Sequence, residues 1–171
     1  MSVVVITGAG RGQGAAEARL LAAQGTAVIA ADLGKEPAEA IGGAEYRQLD
    51  VTDESGWASL TKDLGERYGQ VGGLVANAGI TWRARLLDVE PADMRRVQDV
   101  NITGALLAIQ AVAPLMSAGG SIVLVGSASE SGGESTPCWP AARAAPSVSS
   151  PEMWVGKLTS GLAKGTGPSR C

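Results

Sequence analysis

The sequence predicts an α/β fold in which a doubly wound parallel sheet forms the middle of three α/β/α layers. The first observation is an apolar run of strand type, Val3 to Thr7, which breaks at a glycine cluster just before a helical pattern begins at Ala15. The second is that short apolar runs recur along the chain and alternate with helical patterns, as expected for buried strands of a parallel sheet. At 171 residues the chain is long enough for one domain with a substantial core.

Composition excludes several classes of function. The chain has no histidine, which rules out histidine catalysis and histidine metal ligands. Its two cysteines make no metal or redox spacing, so no metal site is expected. A net charge of -3 does not indicate the basic surface that nucleic-acid binding needs, so no nucleic-acid partner is expected. The first apolar run is too short for a signal peptide and no run reaches membrane-spanning length, so we expect a cytoplasmic protein without a membrane partner.

The glycine cluster has the chemistry of a diphosphate cradle, because glycines allow close approach to backbone N–H groups at a helix start. The spacing Gly8-x-x-x-Gly12-x-Gly14, preceded by Thr7, resembles the Thr-Gly-x-x-x-Gly-x-Gly loop of the short-chain dehydrogenase/reductase family. The resemblance implies a Rossmann-type sheet with strand order 3-2-1-4-5. It also implies hydride transfer between a nicotinamide cofactor and an alcohol or ketone substrate. The loop residues expected at the cofactor are Gly8, Arg11, Gly12, Gln13 and Gly14.

The end of the second strand carries the signal for the type of nicotinamide cofactor. This strand covers 26–31 and is followed by Asp32, whose carboxylate can accept hydrogen bonds from the adenosine ribose and would repel a 2′-phosphate. Arg11 is a counter-signal, because a basic side chain in the glycine loop can pair with that phosphate. We give Asp32 more weight, so NAD is favoured over NADP, and we expect Leu33 in the same adenosine site.

The middle of the chain continues the alternation of strands and helices. We predict a short helix over 35–42, a third strand over 45–49 and a helix after it that Thr52 or Asp53 caps. The buried stripe of that helix is expected to be Trp57, Leu60 and Leu64.

The second half of the sheet has the same pattern. A fourth strand is predicted over 73–76 and a fifth over 121–125, with a long helix over 91–117 between them. Pro114 is expected to bend that helix near its end.

Two further motifs resemble the cofactor site of the family. Asp50-Val51, after the third strand, resembles the pair that flanks the adenine ring. Asn77-Ala78-Gly79, after the fourth strand, matches a motif whose asparagine braces the sheet and whose small residues admit the cofactor.

Two more positions resemble catalytic residues of the family. Asn101, inside the long helix, resembles the asparagine that anchors a water in the proton relay. Ser127, after the fifth strand, matches the serine that orients the substrate carbonyl.

The resemblance covers residues 3–130 and then fails. Where the family places a tyrosine and, four residues on, a lysine, this chain has Trp139 and Arg143. An indole donates a hydrogen bond but does not ionise in the useful range, and losing a general acid costs roughly 10²–10⁴ in rate. We predict an NAD-binding domain over 1–130 and a divergent, partly irregular segment of the same domain over 131–171, without the last strands of the family's sheet.

Three interpretations of this pattern remain open. The first is an NAD-dependent oxidoreductase whose activity is impaired. The second is a catalytically inactive NAD-binding remnant, or a partner that dimerises through the 91–117 helix. The third is a chain that does not fold stably, because its fifth strand would be an uncovered sheet edge.

A frameshift would explain the change of composition after about residue 131. Four of the eight prolines fall within this region, namely Pro137, Pro140, Pro146 and Pro151. Prolines inside a helix cost about 3 kcal/mol each, so the family's helix cannot continue there. Under this hypothesis one of the other two reading frames of the gene encodes Tyr-x-x-x-Lys at the expected spacing, and its absence from both frames would contradict the idea.

Overall fold

A computed structural model describes residues 3–126 of the chain, and the architecture below is that of these residues. Five strands pair in parallel to form one sheet. They are β1 (Val3–Thr7), β2 (Ala27–Asp32), β3 (Glu45–Gln48), β4 (Val71–Ala76) and β5 (Met116–Leu124). Their order across the sheet is β3-β2-β1-β4-β5, which confirms the predicted order.

The sheet is flanked by helices on both sides. The helices are α1 (Gly12–Ala23), α2 (Glu54–Tyr68), α3 (Pro91–Gln98) and α4 (Gly104–Val112). Helix α2 begins after Asp53, whose carboxylate accepts a hydrogen bond from the Ser55 N–H at 2.9 Å, so the cap is the second of the two predicted residues. The predicted stripe of Trp57, Leu60 and Leu64 is buried.

Alternation along each strand divides the core between the two faces, because successive side chains point in opposite directions. Ile6 of β1 packs with Ala15 and Ala18 of α1 on one face. Its neighbour Val5 packs on the other face, in a cluster that includes Leu64 of α2 and Val112 of α4. Three layers therefore form, as the fold class predicts.

The long helix predicted over 91–117 is interrupted. Helices α3 and α4 are joined by one wide turn of π type, Asp99–Thr103, and α4 closes in a 3-10 turn at Ala113–Leu115. The last two predicted helical positions belong to β5. Among the described residues, no helix is long and apolar enough to cross a lipid bilayer.

The short helix predicted over 35–42 is wrong. These residues form turns and bends, and the backbone N–H groups of Ala38 and Glu39 donate to the Gly10 carbonyl at 2.8 and 3.1 Å. Because those donors are used in a tertiary contact, they are not available for a helical ladder. Gly42 then turns the chain with a φ of 64°.

Edge strand β3 is fastened to α2 by charged side chains. Arg47 lies 2.7 Å from Asp63, and Arg67 lies 2.6 Å from Glu45. The hydrogen bond from Arg67 lowers the pKa of Glu45 below its usual value, against the opposing effect of burial. Each pair is partly exposed and individually weak, but the four groups form a connected network that holds β3 to the helix.

The substitution Leu64→Ala tests the packing of α2 on the sheet. Leu64 is fully buried, so we expect the free energy of unfolding in urea to fall by about 2–5 kcal/mol. The matched control is Leu20→Ala on α1, where the side chain is 59% exposed and the expected change is below about 0.5 kcal/mol. Equal losses in the two variants would contradict this description of the core.

Candidate functional site

A cleft of about 830 Å³ opens at the carboxyl ends of β1, β2 and β4. The connections leaving β1 and β4 go to opposite sides here, which is where parallel α/β sheets bind ligands. All the predicted cofactor residues except Gln13 and Gly14 line it. They are Gly8, Arg11, Gly12, Asp32, Leu33, Asp50, Val51, Asn77, Ala78 and Gly79. Their contact with a cofactor stays a prediction, but the structure brings them to one cavity.

Two glycines of the loop, Gly8 and Gly14, have no room for a side chain because the loop lies close to the residues that follow β4. Gly8 has a φ of 66°, and a Cβ there would lie 2.8 Å from the Ala78 Cα. A Cβ on Gly14 would strike the Gly8 carbonyl oxygen and lie 2.6 Å from the Asn77 Nδ2. Gly14 therefore packs against Gly8 and Asn77 on the side of the loop away from the cleft, which explains why it does not line the cleft.

Thr7 and Asn77 connect the ends of the two central strands. The buried Thr7 hydroxyl accepts hydrogen bonds from the N–H groups of Asn77 and Ala78, both at 3.1 Å. In return the Asn77 amide donates to the carbonyls of Thr7 and Gly8 at 3.0 and 3.1 Å. These four bonds fix the path of the chain as it enters the glycine loop.

Asp32 faces the same loop from the end of β2. Its carboxylate accepts the Gly10 N–H at 2.8 Å, and its other oxygen lies 3.5 Å from the Gly34 N. A Cβ on Gly10 would lie 3.0 Å from the Asp32 Cγ, so a larger residue there would push the carboxylate aside. A carboxylate is thus held at the place where the sequence predicts the adenosine ribose.

The Asp50-Val51 pair forms the next part of the cleft wall. One oxygen of Asp50 accepts both the N–H and the hydroxyl of Thr52, at 2.9 and 2.7 Å. The Val51 carbonyl accepts the Trp57 indole N–H at 2.9 Å. The wall is therefore anchored to the core through α2.

Asn101 lies in the π-type turn and binds the segment that follows β4. Its side-chain oxygen accepts the Ile80 N–H at 2.8 Å, and its amide donates to the Ile80 carbonyl at 3.0 Å. Asn101 does not line the cleft, but it fixes Ile80, which does. Wide turns of this type occur frequently at functional sites. Ser127, the other predicted catalytic residue, lies outside the described residues, as do Trp139 and Arg143.

One wall of the cleft was missed by the sequence analysis. It comes from α3 and the turn after it, and its residues are Ala92, Arg95, Arg96, Asp99 and Val100. Two adjacent arginines on a polar helix are typical of any solvated surface. Nothing in their local pattern indicates that the helix faces the glycine loop.

A second missed feature is the carboxylate of Glu39. It accepts the Gly12 N–H at 3.1 Å, at the start of α1, and lies 3.8 Å from Arg19. Helix α1 has no acidic residue in its own first turn, and its cap residue Arg11 makes no side-chain cap bond. The observed contact agrees with the preference of a helix N-terminus for negative charge.

A family model described as short chain dehydrogenase matches residues 2–148. The chain belongs to this family. The match covers the whole of the glycine loop, the strand ends and the cleft described above.

Individual relatives support the same assignment. The chain is 38% identical over 140 residues to trans-4-hydroxycyclohexanecarboxylate dehydrogenase of Sinomonas cyclohexanicum, covering 73% of this chain and 54% of the relative. It is 34% identical to meso-2,3-butanediol dehydrogenase of Serratia marcescens, covering 77% and 55%. A solved structure of Thermoplasma acidophilum aldohexose dehydrogenase superposes with a TM-score of 0.67 at 31% identity, covering 72% and 48%. The chain thus spans about half the length of the relatives that it matches.

The substitution Gly14→Ala tests the contact between the glycine loop and Asn77. Because the added methyl has no room, we expect a loss of about 1–3 kcal/mol in the free energy of unfolding. The control is Gly43→Ala, where the nearest atom to a new Cβ is the Ala22 Cβ at 4.0 Å. If Gly14→Ala were as stable as Gly43→Ala, the loop would not pack as described.

Proposed function

We propose that this chain binds NAD(H) in the cleft and takes part in hydride transfer to or from a small alcohol or ketone. The observation that carries the proposal is the glycine loop with the Asp32 carboxylate bound to its Gly10 N–H at 2.8 Å. Family membership supports the reaction class. The binding unit in this proposal is residues 1–130, with residues 131–171 as a divergent segment of the same domain.

The residues of the cleft fit a dinucleotide. Gly8 and Gly12 line it with φ values of 66° and 59°, conformations that let the backbone turn without a side chain in the way. The start of α1 borders the cleft at Gly12, where the positive end of the helix dipole favours a diphosphate, although the Gly12 N–H itself is bonded to Glu39. The Asp50-Val51 pair supplies an anchored wall for the adenine ring, and the small Ala78 and Gly79 leave space along β4.

NAD rather than NADP is supported by charge. The Asp32 carboxylate lines the cleft, where it can accept hydrogen bonds from ribose hydroxyls and would repel a 2′-phosphate. Arg11 also lines the cleft and would attract that phosphate. We weight Asp32 more, because its carboxylate is held against the loop backbone, whereas Arg11 is an exposed side chain.

In the proposed reaction, a bound nicotinamide cofactor supplies the group that accepts or donates the hydride. Asn101 positions the Ile80 backbone beside the cleft, and Ser127 would orient the substrate carbonyl through its hydroxyl. An indole N–H such as that of Trp139 donates a hydrogen bond but does not release its proton in the useful range, and the guanidinium of Arg143 keeps its charge. The proton on the substrate oxygen must therefore be exchanged with water, which predicts slow turnover.

The second candidate function is a catalytically inactive NAD-binding remnant, or a partner that dimerises through the 91–117 helix. Ile102 and Leu106 are 48% and 50% exposed and lie four residues apart, so they share one face of the segment that leads into α4. Burial of these side chains against a second copy would stabilise a dimer. Trp139 and Arg143 in place of the tyrosine and the lysine favour this function, whereas family membership favours the first.

Cofactor binding is tested by titrating the full chain with NADH and NADPH and measuring nucleotide fluorescence. We expect NADH to bind at least about tenfold more tightly, since hydrogen bonds to a charged group contribute about 1.5–3 kcal/mol. In Asp32→Ala this preference should disappear, whereas Asp88→Ala, at an exposed residue away from the cleft, should keep it. If folded wild-type protein ignores both nucleotides at millimolar concentration, the proposal is wrong.

The same preparations separate the two candidate functions. NADH oxidation with a panel of small ketones supports the oxidoreductase. Binding of NADH without oxidation of any member of the panel supports the inactive NAD-binding protein.

A further inference from the structure

Asp32 and the loop that follows it are bound to β3 and to the next residue, Leu49, through three consecutive carbonyl groups. The Asp32 carbonyl accepts the backbone N–H of Leu49 at 2.8 Å. The Leu33 carbonyl accepts the side-chain amide of Gln48 at 3.1 Å, and the Gly34 carbonyl accepts the Tyr46 hydroxyl at 2.8 Å. The last two bonds come from side chains of β3. Their acceptors, Leu33 and Gly34, lie beyond Asp32, which is the last residue of β2 that pairs with β3.

The two donors are arranged to act together. Tyr46 and Gln48 are alternate residues of β3, so their side chains leave the strand on the same face. The Tyr46 ring also packs against the cluster that includes Ala18 and Val28, which fixes its direction. Burial, and secondarily the nearby Asp32 carboxylate, raises the pKa of Tyr46, so its hydroxyl retains the proton that it donates.

These bonds determine where the adenosine end of the cleft lies. Leu33 is 62% exposed and lines the cleft, so packing alone does not fix its backbone. The Asp32 carboxylate also faces the Gly34 N at 3.5 Å, which makes its orientation dependent on the path of the same loop. A Cβ on Gly34 would lie 3.2 Å from the Glu36 carbonyl oxygen, so the turn is already closely packed.

We propose that Tyr46 and Gln48 are positioning residues that hold the loop after Asp32 against β3 and thereby set the discrimination between NADH and NADPH. This inference rests on the proposed function. A 2′-phosphate can be accommodated beside Asp32 only if the loop moves away from it. The two side-chain bonds oppose that movement, because it would exchange positioned donors on the carbonyls of Leu33 and Gly34 for water.

The test uses the full chain with Tyr46→Phe, Gln48→Met and the double variant, titrated with NADH and NADPH. Phenylalanine keeps the ring and removes only the hydroxyl, and methionine keeps the length of the glutamine side chain. The control is Tyr68→Phe, at the chain's other tyrosine, which lies on α2. Urea unfolding of each variant measures any general loss of stability separately from nucleotide preference.

We expect each single variant to lower the ratio of the NADPH to the NADH dissociation constant by about two- to tenfold, the value of one neutral hydrogen bond. The double variant should lower it further, and Tyr68→Phe should leave it unchanged. An unchanged ratio in the double variant, including an equal weakening of both nucleotides, would overturn the inference while the proposed function stands. If the wild-type chain binds neither nucleotide, the proposed function fails and the inference fails with it.

Discussion

The bracing of β1 against β4 by Thr7 and Asn77 is the interaction on which the rest of the structure depends. The order of the strands changes direction between β1 and β4, so the cleft opens beside their carboxyl ends, just beyond the last paired residues Ile6 and Val75. A buried hydroxyl that accepts two N–H groups, and an amide that donates to two carbonyls, satisfy four backbone groups at that point. Because the amide reaches Gly8, the same contact sets the start of the glycine loop.

The sheet could be predicted from sequence because its signals are local. Strands β1, β2 and β4 are short apolar runs and β5 ends in one, whereas β3 reads Glu-Tyr-Arg-Gln. The order of the strands followed from the family that the glycine loop resembles. The helix predicted over 35–42 failed for a nonlocal reason, since the Gly10 carbonyl binds the amides of Ala38 and Glu39. The interruption of the long helix is also tertiary. Asn101 is bonded to Ile80, and a Cβ on Gly104 would lie 2.7 Å from a Val51 methyl, so the helix meets the cleft wall there.

The part of the candidate site that lies at the ends of strands could be predicted from the sequence. Residues placed directly after β1, β2 and β4 line the cleft, as parallel strands require. Contributions from elements that only pass nearby, such as Arg96 of α3 and the carboxylate of Glu39, depend on packing between distant segments and leave no local pattern. Tyr46 and Gln48 could not be predicted as part of the site either. Their alternation is typical of any strand, and only the structure shows that they donate to Gly34 and Leu33.

The two edge strands of the described sheet, β3 and β5, differ in how strongly their side chains discourage pairing with an additional strand. At β3, Glu45 and Arg47 belong to the ion-pair network with α2, and charge at a margin discourages β-pairing between molecules. At β5, the sequence Met-Ser-Ala-Gly-Gly-Ser-Ile-Val-Leu contains no charged residue. Of the two edges of the described sheet, β5 is therefore the one without charged side chains to discourage an additional strand.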